Sequence, residues 1–170
     1  MKISLYMAIS ANGFITKGKS NYDWVSEEDW DQFYSYIKKN DAVIMGRKTM
    51  EQFGENEFPI KKVFNIVLSA NKKLHKNTKD LVIMKGTPQN IVSFANIKGF
   101  EKLLIIGGEN INGQFLKANL VNEIVLSVHP IIIKKGLTLF GKNIKGVRLN
   151  LINSKNINNE LVQIRYKVIN

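Results

Sequence analysis

The sequence predicts an α/β fold, with a mainly parallel mixed central sheet flanked by helices and a C-terminal antiparallel hairpin. Three observations carry this. Up to residue 128, short apolar runs of strand length alternate with amphipathic stretches of helical period. The run Leu103-Leu104-Ile105-Ile106 is apolar without alternation, as in a strand covered on both faces. The tail changes character, with residues 147–154 and 161–168 reading as two strands joined by the Asn-rich turn 156–159.

Taken in order, residues 3–9 read as the first strand. Ser4 and Ser10 break the apolar stretch and argue against a signal peptide. Residues 10–23 form a loop rich in Gly, Asn, Ser and Lys. A helix then starts at the N-cap Ser26, with Asp29 three residues on in a near capping box, and an apolar face of Trp30, Phe33, Tyr34 and Ile37. Residues 41–45 are a short buried strand that stops at Gly46, and a second helix covers about 47–53. Residues 63–69 and 81–84 are further strands. Thr87-Pro88 is an N-cap with a first-turn proline and opens a helix to about Ile97. The strand 103–106 ends at Gly107-Gly108, a helix covers roughly 110–118, and 124–128 is another strand. No repeat, linker or boundary interrupts the 170 residues, so one domain over 1–170 is expected.

The composition is that of an ordinary globular protein, with 44% hydrophobic and 23% charged residues. No apolar run reaches the length of a membrane span. There are no cysteines, which excludes disulfides, thiolate chemistry and cysteine-ligated zinc. A cytoplasmic location is the default. The net charge of +11 comes mostly from lysines scattered in pairs, with only Arg47, Arg148 and Arg165 besides. Such a pattern argues against a nucleic-acid partner and leaves a modest pull on small phosphorylated molecules.

Five segments are candidates for chemistry. At Gly46-Arg47-Lys48-Thr49 a strand ends in a glycine before a basic helix start, where backbone N–H groups and the helix dipole favour an anion. A glycine turn with solvated basic residues explains that segment equally well. At Gly107-Gly108-Glu109-Asn110-Ile111 a buried strand ends in two glycines before a helix, which suits a pyrophosphate but is also a common turn. Ser69 to Lys73 offers hydroxyl, amide and cationic donors at a strand end, or simply an exposed turn. The loop Ser10-Ala11-Asn12-Gly13-Phe14-Ile15 has the small residues of a binding loop and equally of a tight turn. Asp29 borders the apolar face of its helix, and capping is its simplest explanation. His129 and His75 have no second ligand at metal spacing, so no metal is expected.

The order and spacing of these pieces resemble the dihydrofolate-reductase-like reductases. That family includes the C-terminal reductase domain of the bifunctional riboflavin-synthesis deaminase/reductase. Residues 10–15 look like its Ser-Leu-Asp-Gly-x-Ile signature, with Asn12 in place of Asp. Asp23-Trp24-Val25-Ser26 resembles the Trp-Ile-Ser start of its next helix. Val43 to Thr49 resembles the Val-Ile-Met-Gly-Arg-x-Thr of dihydrofolate reductases. Gly107-Gly108, residues 112–124, His129-Pro130 and residues 136–140 resemble the riboflavin-side run.

The resemblance implies an NADPH-dependent oxidoreductase. Its acceptor would be a ribosylamino-pyrimidine phosphate, as in riboflavin biosynthesis, or alternatively dihydrofolate; a non-catalytic nucleotide-binding protein on the same fold is the third reading. Arg47, Lys48 and Thr49, after Gly46, would hold NADPH phosphates, with Ser69 and Lys72 at the adenosine end. Gly107, Gly108, Glu109, Asn110 and Ile111 would cradle the pyrophosphate, and Ala8 and Ile15 would flank the nicotinamide. Asp29 and Ser127 match positions where folate reductases contact the pterin, and with Ala8 they are the expected catalytic residues; Asn12, Asp29 and Ser127 would bind substrate. A homodimer with a small-molecule substrate is expected, with no nucleic acid and no membrane. A deaminase activity in this chain is excluded, because its zinc site needs cysteines. The two glycine-ended strands are expected to converge on a single dinucleotide.

Overall fold

The computed structural model describes residues 1–54 and 56–169. Its strands are β1 (Lys2–Ser10), β2 (Ala42–Gly46), β3 (Phe64–Leu68), β4 (Lys76–Asn77), β5 (Leu81–Met84), β6 (Lys102–Ile105), β7 (Glu123–His129), β8 (Arg148–Asn156) and β9 (Val162–Ile169). The helices are α1 (Glu27–Ile37), α2 (Arg47–Met50), α3 (Pro88–Ile97) and α4 (Glu109–Lys117). Among the described residues the strands form one sheet in the order β4-β5-β3-β2-β6-β1-β7-β9-β8. The inner pairs, from β5 to β7, are parallel; β4 on β5, β9 on β7 and β8 on β9 are antiparallel. The predicted fold class is therefore the observed one.

Side chains on a strand alternate between faces, so a strand in mid-sheet feeds two cores. On β6, Leu103 and Ile105 join the cluster with Ile91, Ala95 and Phe115 of α3 and α4. Leu104, with Ile106 beyond the strand, joins the opposite cluster with Ile37 of α1. This is why the run reads as apolar without alternation.

Most helix signals hold. Ser26 caps α1, its Oγ accepting the Asp29 N–H at 3.4 Å. Thr87 and Asn90 form a reciprocal capping box on α3, with Pro88 in the first turn. The second helix is shorter than expected, a single turn over Arg47–Met50. Two pieces had no sequence signal strong enough to separate them from loop: β4, and a 3-10 turn over Lys72–Leu74. Among the described residues no helix is long and apolar enough to cross a membrane.

Candidate functional site

The ends of β2 and β6 meet. After β6 the chain runs through Ile106 into Gly107-Gly108, and the Gly107 carbonyl accepts the Gly46 N–H at 2.9 Å. Glycine is required at position 107 of this junction. Gly107 has φ +100°, a conformation other residues rarely adopt. A Cβ on Gly46 would stand 3.1 Å from Ile111 Cγ1, and one on Gly108 would stand 3.5 Å from Thr49 Oγ1. Gly46 and Gly108 are also the N-caps of α2 and α4, and neither supplies a side-chain cap. The first N–H groups of α4 thus lack a side-chain acceptor and can serve an anion.

Both glycine ends open into one cavity of about 690 Å³, within the usual range for small-molecule sites. Ala8, Ile15, Asp29, Gly46, Arg47, Lys48, Thr49, Ser69, Gly108, Glu109, Asn110 and Ile111 all line it. Arg47 Nη1 is held by Glu51 at 2.6 and 2.7 Å on the helix surface. Glu109 Oε1 accepts from the Thr138 N–H at 2.9 Å and from its hydroxyl at 2.5 Å, which turns that carboxylate towards residue 138.

The floor under β1 is a buried polar network. Tyr6 donates its hydroxyl to Asp29 Oδ1 at 2.5 Å, and His129 Nε2 lies 2.9 Å from Asp29 Oδ2. Tyr6 Oη also lies 3.0 Å from Ser127 Oγ, and Gln163 Nε2 donates to Tyr6 Oη at 3.3 Å. Asp29 is 1% exposed and His129 3%. Burial, reinforced by the Asp29 charge, pushes the Tyr6 phenol well above its usual range, so it remains a donor. The ring of Trp24 stands edge-on to His129 at 5.1 Å and 86°.

Four expected site residues are placed elsewhere. Ser127 is fully buried beneath the sheet surface, opposite Ala8 in register, and is occupied by Tyr6 and Gln163; it does not line the cavity. Asn12 does not line it either. Its Oδ1 accepts from Ser10 Oγ and the Ile133 N–H, and its Nδ2 donates to the Ile133 carbonyl at 2.9 Å. The amide pins the loop to residues 131–133, and an Asp could not make the donor bond. Lys72 sits exposed on its 3-10 turn, away from the lining. Gly107 is buried and contributes a carbonyl to Gly46 rather than a surface to a ligand.

The capping reading of Asp29 is corrected as well. Its N–H meets Ser26, but its carboxylate turns inward to Tyr6 and His129 instead of returning the bond. The apolar face of α1 is corrected in part. Ile37 is buried, whereas Trp30, Phe33 and Tyr34 line the cavity. Tyr6, Tyr22, Phe53, Lys19 and Glu57 also line it and had not been singled out. A signal for Tyr6 did exist: it is the one aromatic residue in the first strand. Among the described residues no three His, Asp or Glu side chains gather as a metal site.

Known proteins resemble the chain over nearly its whole length. The model of the RibD C-terminal domain matches residues 1–163. Protein YyaP of Bacillus subtilis (strain 168) is 24% identical over 97% of this chain and 94% of its own. A diaminohydroxyphosphoribosylaminopyrimidine deaminase/5-amino-6-(5-phosphoribosylamino)uracil reductase from Thermotoga maritima superposes with a TM-score of 0.80 at 13% identity, covering 99% of this chain and 56% of that one. Dihydrofolate reductase from Enterococcus faecalis, complexed with NADP(H), gives 0.76 at 18% identity, over 99% and 97% of the two chains. At these identities the solved structures establish the fold.

Proposed function

Because the chain belongs to the RibD C-terminal domain family, we propose that it is an NADPH-dependent reductase that delivers hydride to a small planar heterocycle. The observation that carries the reading is the Gly46 to Gly107 hydrogen bond, which joins two glycine-capped helix starts into one cradle on a cavity that ends at Asp29. The residues present fit the cofactor. Close backbone approach is open at Gly46 and Gly108, N–H groups of α4 lack a side-chain cap, and Arg47, Lys48 and Thr49 add cations and a hydroxyl. NADPH, when bound, supplies the hydride.

The chain's own part is positioning and field. Ala8 and Ile15 would flank the nicotinamide. Arg47 would exchange Glu51 for a phosphate, and Ser69 would stand at the adenosine end. Tyr6 and His129 hold the Asp29 carboxylate beneath the acceptor.

That arrangement favours the pyrimidine side over folate. Asp29 is 1% exposed and each oxygen already accepts a protein bond, so little of the carboxylate is presented to grip a pterin. We therefore expect methotrexate to bind no better than millimolar, about −4 kcal/mol. Titration of the full chain with NADPH and NADH, followed by cofactor fluorescence, tests the reading. NADPH should bind about tenfold tighter than NADH, and Gly46→Ala should weaken it by a similar factor, since its Cβ crowds Ile111. Binding of neither dinucleotide would sink the proposal.

A further inference from the structure

The polar network under β1 holds one pair unlike its other members. His129 Nε2 and Asp29 Oδ2 lie 2.9 Å apart, and both side chains are almost wholly buried. Tyr6, Ser127 and Gln163 bond one another as neutral donors and acceptors, and the Tyr36 hydroxyl donates to Gln163 Oε1 at 3.3 Å. Asp29 lines the cavity, whereas His129, the last residue of β7, does not. The pair therefore runs from the cavity into the protein, with the ring of Trp24 packed edge-on against the imidazole.

A buried carboxylate needs a cation beside it. Among the described residues no lysine or arginine forms an ion pair with Asp29. Lys19, Arg47 and Lys48 line the same cavity, as do Glu57 and Glu109, but Arg47 pairs with Glu51 and Glu109 turns to Thr138. Glu123, at the start of β7, is matched by Lys2 and Arg165. His129 is left as the group placed to balance Asp29. Histidine is also the side chain that ordinarily gains and loses a proton near neutrality.

We propose that His129 stores the proton which the reduction consumes, and that Asp29 hands it to the acceptor. The inference rests on the reductase reading and adds the source of the second hydrogen. His129 acts through Asp29 and is a positioning residue. The acceptor gains a C–H bond from the hydride, and the electron pair of its adjacent C=N or C=O π bond moves to nitrogen or oxygen. That atom takes a proton from the Asp29 carboxyl as the Nε2–H bond of His129 breaks and its proton passes to Asp29 Oδ2. The acceptor ends reduced by two electrons and the dinucleotide oxidised, and neutral His129 regains a proton from water.

The test uses the full chain. In Trp30→Phe, where Trp24 is the remaining tryptophan, fluorescence should change in one step with pH as the imidazole beside it loses its proton. His129→Gln should abolish the step. In the unsubstituted chain, kcat for NADPH oxidation with 5-amino-6-(5-phosphoribosylamino)uracil should fall as pH rises through that same step. His129→Gln keeps a donor for Asp29 but stores no proton, so it should lower kcat about 100-fold and flatten the profile, while KM moves less than about twofold. A kcat profile that is flat across the fluorescence step overturns the inference, whether or not the variant folds. So does a fluorescence step that is absent or survives His129→Gln, or a variant with undiminished kcat. Absence of turnover overturns it too. NADPH binding is measured separately: if it is intact, these failures fall on the proton route alone, and if it is absent the reductase reading falls.

Discussion

Burial and the neighbouring Asp29 charge both favour the neutral form of Tyr6, and this couples one hydroxyl to the stability of the whole chain. The sign follows from the raised value. Below about pH 10, the ordinary phenol value, folded and unfolded chains both hold the proton and the contribution is complete. Above it the unfolded chain ionises first, so stability falls as pH rises. Urea denaturation midpoints should therefore be flat in Tyr6 up to about pH 10 and decline beyond. Tyr6→Phe should flatten part of that decline while lowering stability at neutral pH by about 1–3 kcal/mol, because Asp29 and Ser127 lose a buried partner. How little of this the sequence discloses is instructive. Ser26 and Asp29 have capping-box spacing, and local geometry alone cannot say that the carboxylate turns inward; that is decided by Tyr6 and His129, which arrive from positions 23 and 100 residues away. Asn12 is a similar case, since its partner Ile133 is 121 residues distant.

At the scale of elements, long-range ties rather than local propensity set the shape of the cavity. The loop after β1 is held to residues 136–138 by the Phe14–Thr138 bridge and by Ile15 N–H donating to the Leu137 carbonyl at 2.8 Å. Gly136 makes this approach feasible, because a Cβ there would stand 1.7 Å from the Thr16 carbonyl oxygen. Gly136→Ala should cost about 1–3 kcal/mol in thermal or urea unfolding and also weaken ligand binding, since Ile15, Thr16 and Leu137 line the cavity. At the far end of the sheet, Glu123 of β7 binds Lys2 at 2.6 Å and Arg165 at 2.6 and 2.9 Å, joining β1, β7 and β9. Burial pushes its carboxyl up, but those two cations outweigh burial and hold it below the usual range. A depressed folded value stabilises above the unfolded one and is lost as pH falls. Glu123→Gln should therefore destabilise by about 1 kcal/mol at pH 7, and the difference should vanish in unfolding curves below about pH 4. The elements themselves were largely readable, because strand runs, the Ser26 and Thr87 caps and Pro88 act through near neighbours. The α1 stripe was not, since periodicity reports that rings share a face and not whether a core or a ligand covers it.

For the whole molecule, the alternation of strand and helix foretold parallel pairing, and the tail foretold the antiparallel pair β8 and β9. The order of strands was beyond it, because which strand lies beside which depends on packing between distant segments. That order leaves β8 at one edge with all nine residues exposed, among them Leu151 at 62% and Ile152 at 43%. A long exposed edge strand invites pairing, and we propose that the chain is a homodimer using this edge. Light scattering after size exclusion should give twice the chain mass of 19.4 kDa, and Leu151→Lys should return it to a monomer.

The Gly46 to Gly107 bond has one more consequence. It fastens two strand tips into a single rigid piece before any guest arrives, so little ordering is left to be done there on arrival. The neighbouring loop is tied down as well, at Asn12, Ile15 and Gly18, so amide exchange at the strand tips should stay unchanged once the cavity fills.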